Sequence, residues 1–176
     1  MKEVHLVVGV LALTSSAGAG AYGAWRWWRA EPSPWFWRVL RLSQAVVVVQ
    51  AALGGVLVLT GRHPPQLHVV YGLLPLLVSF IAEQLRVASA QMILDARGYG
   101  SAREVGGLEE EEQQRIVLAI VLREMGVMVL AALVNVVLLA RARSHVRLRQ
   151  QPRRNLREIA RIALLLQQLR DHFAPR

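Results

Sequence analysis

Four long apolar stretches, separated by short loops, limit what this chain can fold into. They cover about residues 4–25, 39–60, 67–85 and 122–140. Each has nearly the ~20 residues that a helix needs to cross the ~30 Å hydrocarbon core of a bilayer. Backbone groups in lipid must be satisfied internally, so stretches of this length form helices there. The sequence therefore predicts an all-α fold, an integral membrane bundle of four transmembrane helices.

Apolar positions continue beyond the third stretch and begin before the fourth. We expect membrane helices over about 4–25, 39–60, 67–95 and 114–140, within one domain of residues 1–143. The last two would project from the membrane as a hairpin arm closed by a glycine-containing loop. The acidic run at 109–112 then falls at the start of the fourth helix, where the helix dipole favours negative charge.

Residues 144–176 form a basic tail, in which we expect a linker up to Pro152 and then a separate amphipathic helix over 155–172. Apolar side chains recur there at helical spacing, with charged side chains opposite. This helix is too short and too polar to span, so it is expected on a membrane surface or against the arm. Its apolar positions are Leu156, Ile159, Ile162, Ala163, Leu166 and Leu169.

The loops and the small residues predict how the helices pair. All five tryptophans lie between Trp25 and Trp37, as in an aromatic belt at one membrane face. A proline-containing loop at 61–66 predicts a tight hairpin of the second and third helices. Small residues at four-residue spacing in the first helix, with Ala51 and Gly55 in the second, predict a close pair there.

Composition narrows the partners and the chemistry. The chain is 54% hydrophobic with a mean hydropathy of +0.34, which is too apolar for an ordinary soluble domain. The net charge of +9 lies beside apolar runs, so we expect anionic lipid headgroups as partners and no nucleic acid. With no cysteine there is no disulfide, thiolate metal site or cysteine nucleophile.

The distribution of arginine leaves the orientation of the bundle open. The first loop and the arm carry many arginines, which favours placing loops 1 and 3 in the cytoplasm and both termini outside. The basic tail argues for the reverse orientation.

Charged and amide side chains are predicted to form a polar layer at one depth of the bundle. Ionisable residues in membrane helices are candidate functional residues because leaving them unpaired is costly. We expect a structural clamp, with a lipid-headgroup or ligand site and a proton or ion path as alternatives. The layer comprises Arg41, Gln44, Glu83, Arg86, Arg123 and Glu124.

A second group lies towards the other face. His5 and His68 begin helices that start there, so their imidazoles are candidate axial ligands of a haem. His63 and Tyr71 are nearby, and Asn135 lies one to two turns inside the fourth helix. Histidines near headgroups are mostly interfacial, so we expect no cofactor and no metal, with haem as the alternative. No phosphate loop, catalytic triad or metalloprotease helix is present, and we expect no enzyme.

Two local runs resemble known membrane proteins. Residues 50–61 read QAALGGVLVLTG and are followed by LHVVYG at 67–72, and residues 122–128 read LREMGVM. These runs resemble a group of small, uncharacterised four-helix bacterial membrane proteins. The resemblance covers about residues 20–143, implies a bacterial inner-membrane location and carries no established activity.

The run at 50–61 is also similar to one half-bundle of the haem A synthase family. In that family a histidine on the helix after the loop ligates haem, and His68 is the matching position.

Together these features predict a multi-pass accessory or assembly subunit without enzymatic activity, acting through lipid contacts and through a membrane protein partner or a homo-oligomer. The alternatives are a haem-binding electron-transfer or haem-handling protein and a small transporter or channel subunit.

Overall fold

The structure is a computed structural model. It describes the backbone of residues 2–61 and 64–172 and the side chains of residues 3–61, 64–144 and 161. Throughout this part of the chain the regular elements are helices, as predicted. They are α1 Lys2–Trp28, α2 Pro34–Leu59, α3 Gln66–Ala96, α4 Ala102–Val105 and α5 Glu110–His172.

Four helical segments are long and apolar enough to cross a membrane. They are Glu3–Trp28, Pro34–Leu59, Gln66–Ala96 and Glu110–Ser144. The predicted multi-pass bundle of four helices is confirmed at this level. α2 begins at Pro34, earlier than expected, because a proline fits the first turn of a helix, where its missing N–H needs no partner.

The packing order of the helices differs from the chain order. α1 packs on both α2 and α5, and α3 packs mainly on α5. The predicted close pair of α1 and α2 is confirmed, but the tight hairpin of α2 and α3 is wrong, because these two helices share far fewer contacts.

Small residues of α1 allow this close approach. Ser16 is buried, and its hydroxyl lies 2.9 Å from the hydroxyl of Ser43 on α2. A Cβ on Gly23 would lie 2.3 Å from Cε2 of Phe36 on α2 and 2.6 Å from Cγ2 of Val129 on α5. Only a glycine lets α1 fit between both neighbours at this point. On α2, however, the glycine facing α1 is Gly54, while the predicted Gly55 has open space around it.

The predicted helical hairpin of the arm is present and has its own small core, and its projection from the membrane stays a prediction. Buried Leu94, Val105 and Ile116 pack together where α3, α4 and α5 meet. Gly98 ends α3 with a positive φ of 79°, a conformation that favours glycine. α5 starts at Glu110 with acidic residues in its first turn, as predicted. The sequence analysis did not predict the short helix α4.

The tail contradicts one prediction. Instead of a linker and a separate helix, α5 continues through Pro152 to His172. Proline removes one backbone hydrogen bond from a helix interior, which is why we expected a break. The flanking arginine, glutamine and leucine residues are good helix formers and favour continuation. The apolar stripe over 155–172 lies outside the described side chains and stays a prediction.

Gly23→Ala should lower the free energy of unfolding by about 1–3 kcal/mol, because the new methyl group overpacks the contact between α1, α2 and α5. Gly18→Ala is the matched control, since a Cβ there meets no atom within 4 Å. Unfolding in mild detergent measures both variants. Equal loss of stability in the two would contradict this account of α1 packing.

Candidate functional site

The carboxylate of Glu83 on α3 is the centre of a polar network near one end of the bundle. Arg41 on α2 donates to both of its oxygens, through Nη1 to Oε1 and through Nη2 to Oε2 at 3.2 Å. Gln44, one turn further along α2, donates from Nε2 to Oε1 at 3.2 Å and accepts from Arg41 at 2.8 Å. Glu83 therefore links α2 to α3, the two neighbouring helices with few packing contacts.

Arg86 extends this network to α5. Its Nε donates to Oε2 of Glu83 at 2.9 Å, and its Nη1 donates to Oε2 of Glu124 at 3.4 Å. The same guanidinium lies over the ring of Trp37, 5.7 Å from its centroid. We call Arg41, Gln44, Glu83, Arg86 and Glu124 the Glu83 network. Two cations and two anions balance within it, and every charged member has a partner of opposite charge.

Arg123 was predicted to belong to this layer and does not. Its Nη2 lies 3.7 Å from the sulfur of Met92, towards the arm. Arg123 and Glu124 both reach α3, but Met92 lies nearly two helical turns beyond Arg86, so the two side chains meet α3 at different levels. The other five predicted members are brought together.

The aromatic belt shows the depth of the network. Trp37 contacts Arg86 directly, and Arg38 stacks over Trp35 at 4.9 Å, both in the first turns of α2. Tryptophan and arginine side chains are typical of the headgroup region. The Glu83 network thus lies at the level of the tryptophans predicted to form the belt, where we expect partial hydration to reduce the cost of burying charge. Glu83 and Glu124 are 25% and 20% exposed.

A separate set of neutral polar residues lies deeper between the helices. Nδ2 of Asn135 on α5 donates to the hydroxyl of Ser79 on α3 at 3.0 Å, and Ser16 pairs with Ser43 across α1 and α2. Asn135 had been grouped with the histidines in the sequence and belongs here instead. These hydrogen bonds give the polar groups partners that lipid cannot offer.

The two candidate haem ligands do converge. The rings of His5 and His68 are 6.2 Å apart between centroids, in an edge arrangement at 70°. Nδ1 of His68 lies 3.2 Å from the carbonyl oxygen of Ala142 and donates to it, which leaves Nε2 as the free ring nitrogen. Nε2 of His5 lies 3.2 Å from Nε2 of Gln50. His63 lies outside the described residues.

Each ring of this pair already contacts a neighbouring helix. The two nitrogen donors are of the right kind for an axial pair. The His5 ring, however, lies against Gln50 and Gly54 of α2, and the His68 ring lies against Ala142 of α5. Among the described residues, no three or more His, Cys, Asp or Glu side chains are grouped to hold a metal ion.

No family model, curated protein or solved structure matches this chain. The resemblances to small bacterial four-helix proteins and to the haem A synthase half-bundle therefore stay predictions.

Sequence reasoning missed two contacts. Trp37 was placed in the belt, but its position under Arg86 was not foreseen. Ser16 was recognised as a small residue, but its hydroxyl bond to Ser43 was not. In each pair the two residues lie on different helices, and the spacing of residues within one helix does not predict such contacts.

Glu83→Gln should destabilise the bundle by about 1–3 kcal/mol, because it removes the negative charge and replaces one of the two acceptor oxygens with a donor, which leaves Arg41 and Arg86 with weaker partners. Arg123→Gln is the control and should change stability little, since Arg123 lies outside the network. Thermal unfolding in detergent or nanodiscs measures both. Loss of stability in Arg123→Gln alone would refute the assignment of the clamp to Glu83.

Protein purified from cells supplied with haem precursor should show no Soret band, before or after reduction with dithionite, because the His5 and His68 rings already bond to Gln50 and Ala142 of neighbouring helices. An absorption spectrum checks this. A stoichiometric band that disappears in His68→Ala would overturn the conclusion.

Proposed function

We propose that this protein is a multi-pass accessory or assembly subunit of the bacterial inner membrane, without enzymatic activity of its own. The observation that carries the proposal is the arm. It extends beyond the level of the Glu83 network and exposes apolar side chains there.

The size of the arm supports a contact role. Beyond Arg86, α3 continues over residues 87–96, and α5 begins with residues 110–123 ahead of Glu124. At 1.5 Å per residue these segments extend about 15–20 Å past the network. The core of Leu94, Val105 and Ile116 gives this extension its own packing. A protein that needed only to span the membrane would not require it.

The surface of the arm is suited to a protein partner. Val87, Met92 and Val117 are 66%, 47% and 54% exposed, although they lie beyond the belt. Neighbouring apolar side chains that face water mark contact sites for other proteins. A membrane protein partner or a second copy of this chain would cover them.

Lipid contacts are the second part of the proposed role. The side chain of Arg29 is 56% exposed. The guanidinium of Arg38 lies over the ring of Trp35 in the belt. Cations at this level attract anionic headgroups. The Glu83 network, by contrast, is balanced internally, which favours a clamp over a transport path through a small transporter or channel subunit.

A photoreactive amino acid at Met92 or Val117 should form a discrete crosslinked product with one protein in native membranes. Matched labels at Leu130 and Val137, which are 64% and 66% exposed within the membrane-crossing part of α5, should react with lipid only. Val117→Glu should abolish the product formed at Met92. Lipid adducts alone at all four positions would refute the proposed function.

A further inference from the structure

A small cavity lies in the interior of the bundle, where all four membrane-crossing helices meet. Its polar lining consists of Ser16 from α1, Ser43 and Gln44 from α2, Ser79 from α3 and Asn135 from α5. The remaining lining is apolar. Polar groups from four separate helices converge here, at a depth where lipid offers no hydrogen bonds.

One of these groups lacks a partner. Asn135 is only 5% exposed, and its Nδ2 donates to Ser79. Its Oδ1 is buried and has no hydrogen-bond partner among the described residues. Turning the amide over would pair the oxygen with Ser79 and leave the nitrogen in the same position, so either assignment leaves one polar atom unpaired. Such an atom is costly unless something in the cavity binds it.

The size and charge of the cavity limit its occupant. Its volume is about 10 Å³, which matches a single water molecule. The polar lining consists of hydroxyl and amide groups only, so a bare ion would find no compensating charge. A water molecule can donate to an amide oxygen and also bond to the serine hydroxyls.

We infer that this cavity is a binding site for one structural water, which donates to Asn135 and bridges to the serine pair of α1 and α2. The water joins the Ser79–Asn135 bond of α3 and α5 to the Ser16–Ser43 bond of α1 and α2. It thereby connects the two halves of the bundle where α2 and α3 themselves pack sparsely. Gln44 lines the same cavity and donates to Glu83, so the water is the inner end of a polar connection to the Glu83 network.

Water-edited NMR of the full chain in lipid nanodiscs tests this site. The side-chain signals of Asn135 and Ser43 should gain magnetisation from water much faster than those of Ser89. Ser89 is the matched control, because it is equally buried at 1% exposure but donates within its own helix, to the carbonyl of Leu85 at 2.8 Å. Transfer to Asn135 and Ser43 as slow as transfer to Ser89 would overturn the inference.

A variant tests the role of Asn135 in holding the water. In Asn135→Leu the polar atom facing the cavity is removed, and transfer to Ser43 should fall to the level of Ser89. Undiminished transfer to Ser43 would show that Asn135 does not hold the water and would refute the assignment. The wild-type measurement decides the existence of the site on its own if this variant does not fold.

Discussion

The carboxylate of Glu83 is the interaction on which the rest of the bundle depends. α2 and α3 are neighbours in the chain but pack sparsely, and α3 is held mainly by α5. Where packing between these two helices is sparse, Arg41 and Gln44 of α2 donate hydrogen bonds to Glu83 of α3. Arg86 also binds Glu124 and so connects this network to α5. Arg86 contacts Trp37 of the predicted aromatic belt, where we expect charges to stay partly hydrated and still pair.

This arrangement divides the protein into two regions with different requirements. On one side of the network, small residues such as Gly23 let α1 approach two helices, and neutral hydroxyl and amide side chains pair between helices in the interior. On the other side, α3 and α5 extend as an arm whose core is separate from that of the bundle. The apolar residues exposed on the arm are thus separate from the packing of the bundle core.

Much of the fold could be predicted because hydropathy and length decide which segments cross a membrane, and glycines and prolines mark where they end. The membership of the polar layer followed from shared depth, yet Arg123 was assigned wrongly, since depth alone ignores the direction in which a side chain leaves its helix. The pairing of α2 with α3 failed for a related reason. A short loop limits how far apart two helices begin, but side-chain packing decides which faces meet. The predicted break at Pro152 in the tail is wrong, because one unfavourable residue does not end this long helix.

We expect the Glu83 network to mark the membrane boundary and the arm to lie outside the membrane. Because the chain has no cysteine, single-cysteine spin labels can be placed without background. Labels at Phe80, Leu130, Met92 and Val117 would be compared for collisions with oxygen, which is enriched in lipid, and with a water-soluble nickel chelate. If the Glu83 network marks the boundary, the labels at Phe80 and Leu130 will collide mainly with oxygen, and the labels at Met92 and Val117 will collide mainly with the chelate. Oxygen accessibility at all four positions would place the network inside the bilayer and contradict the account.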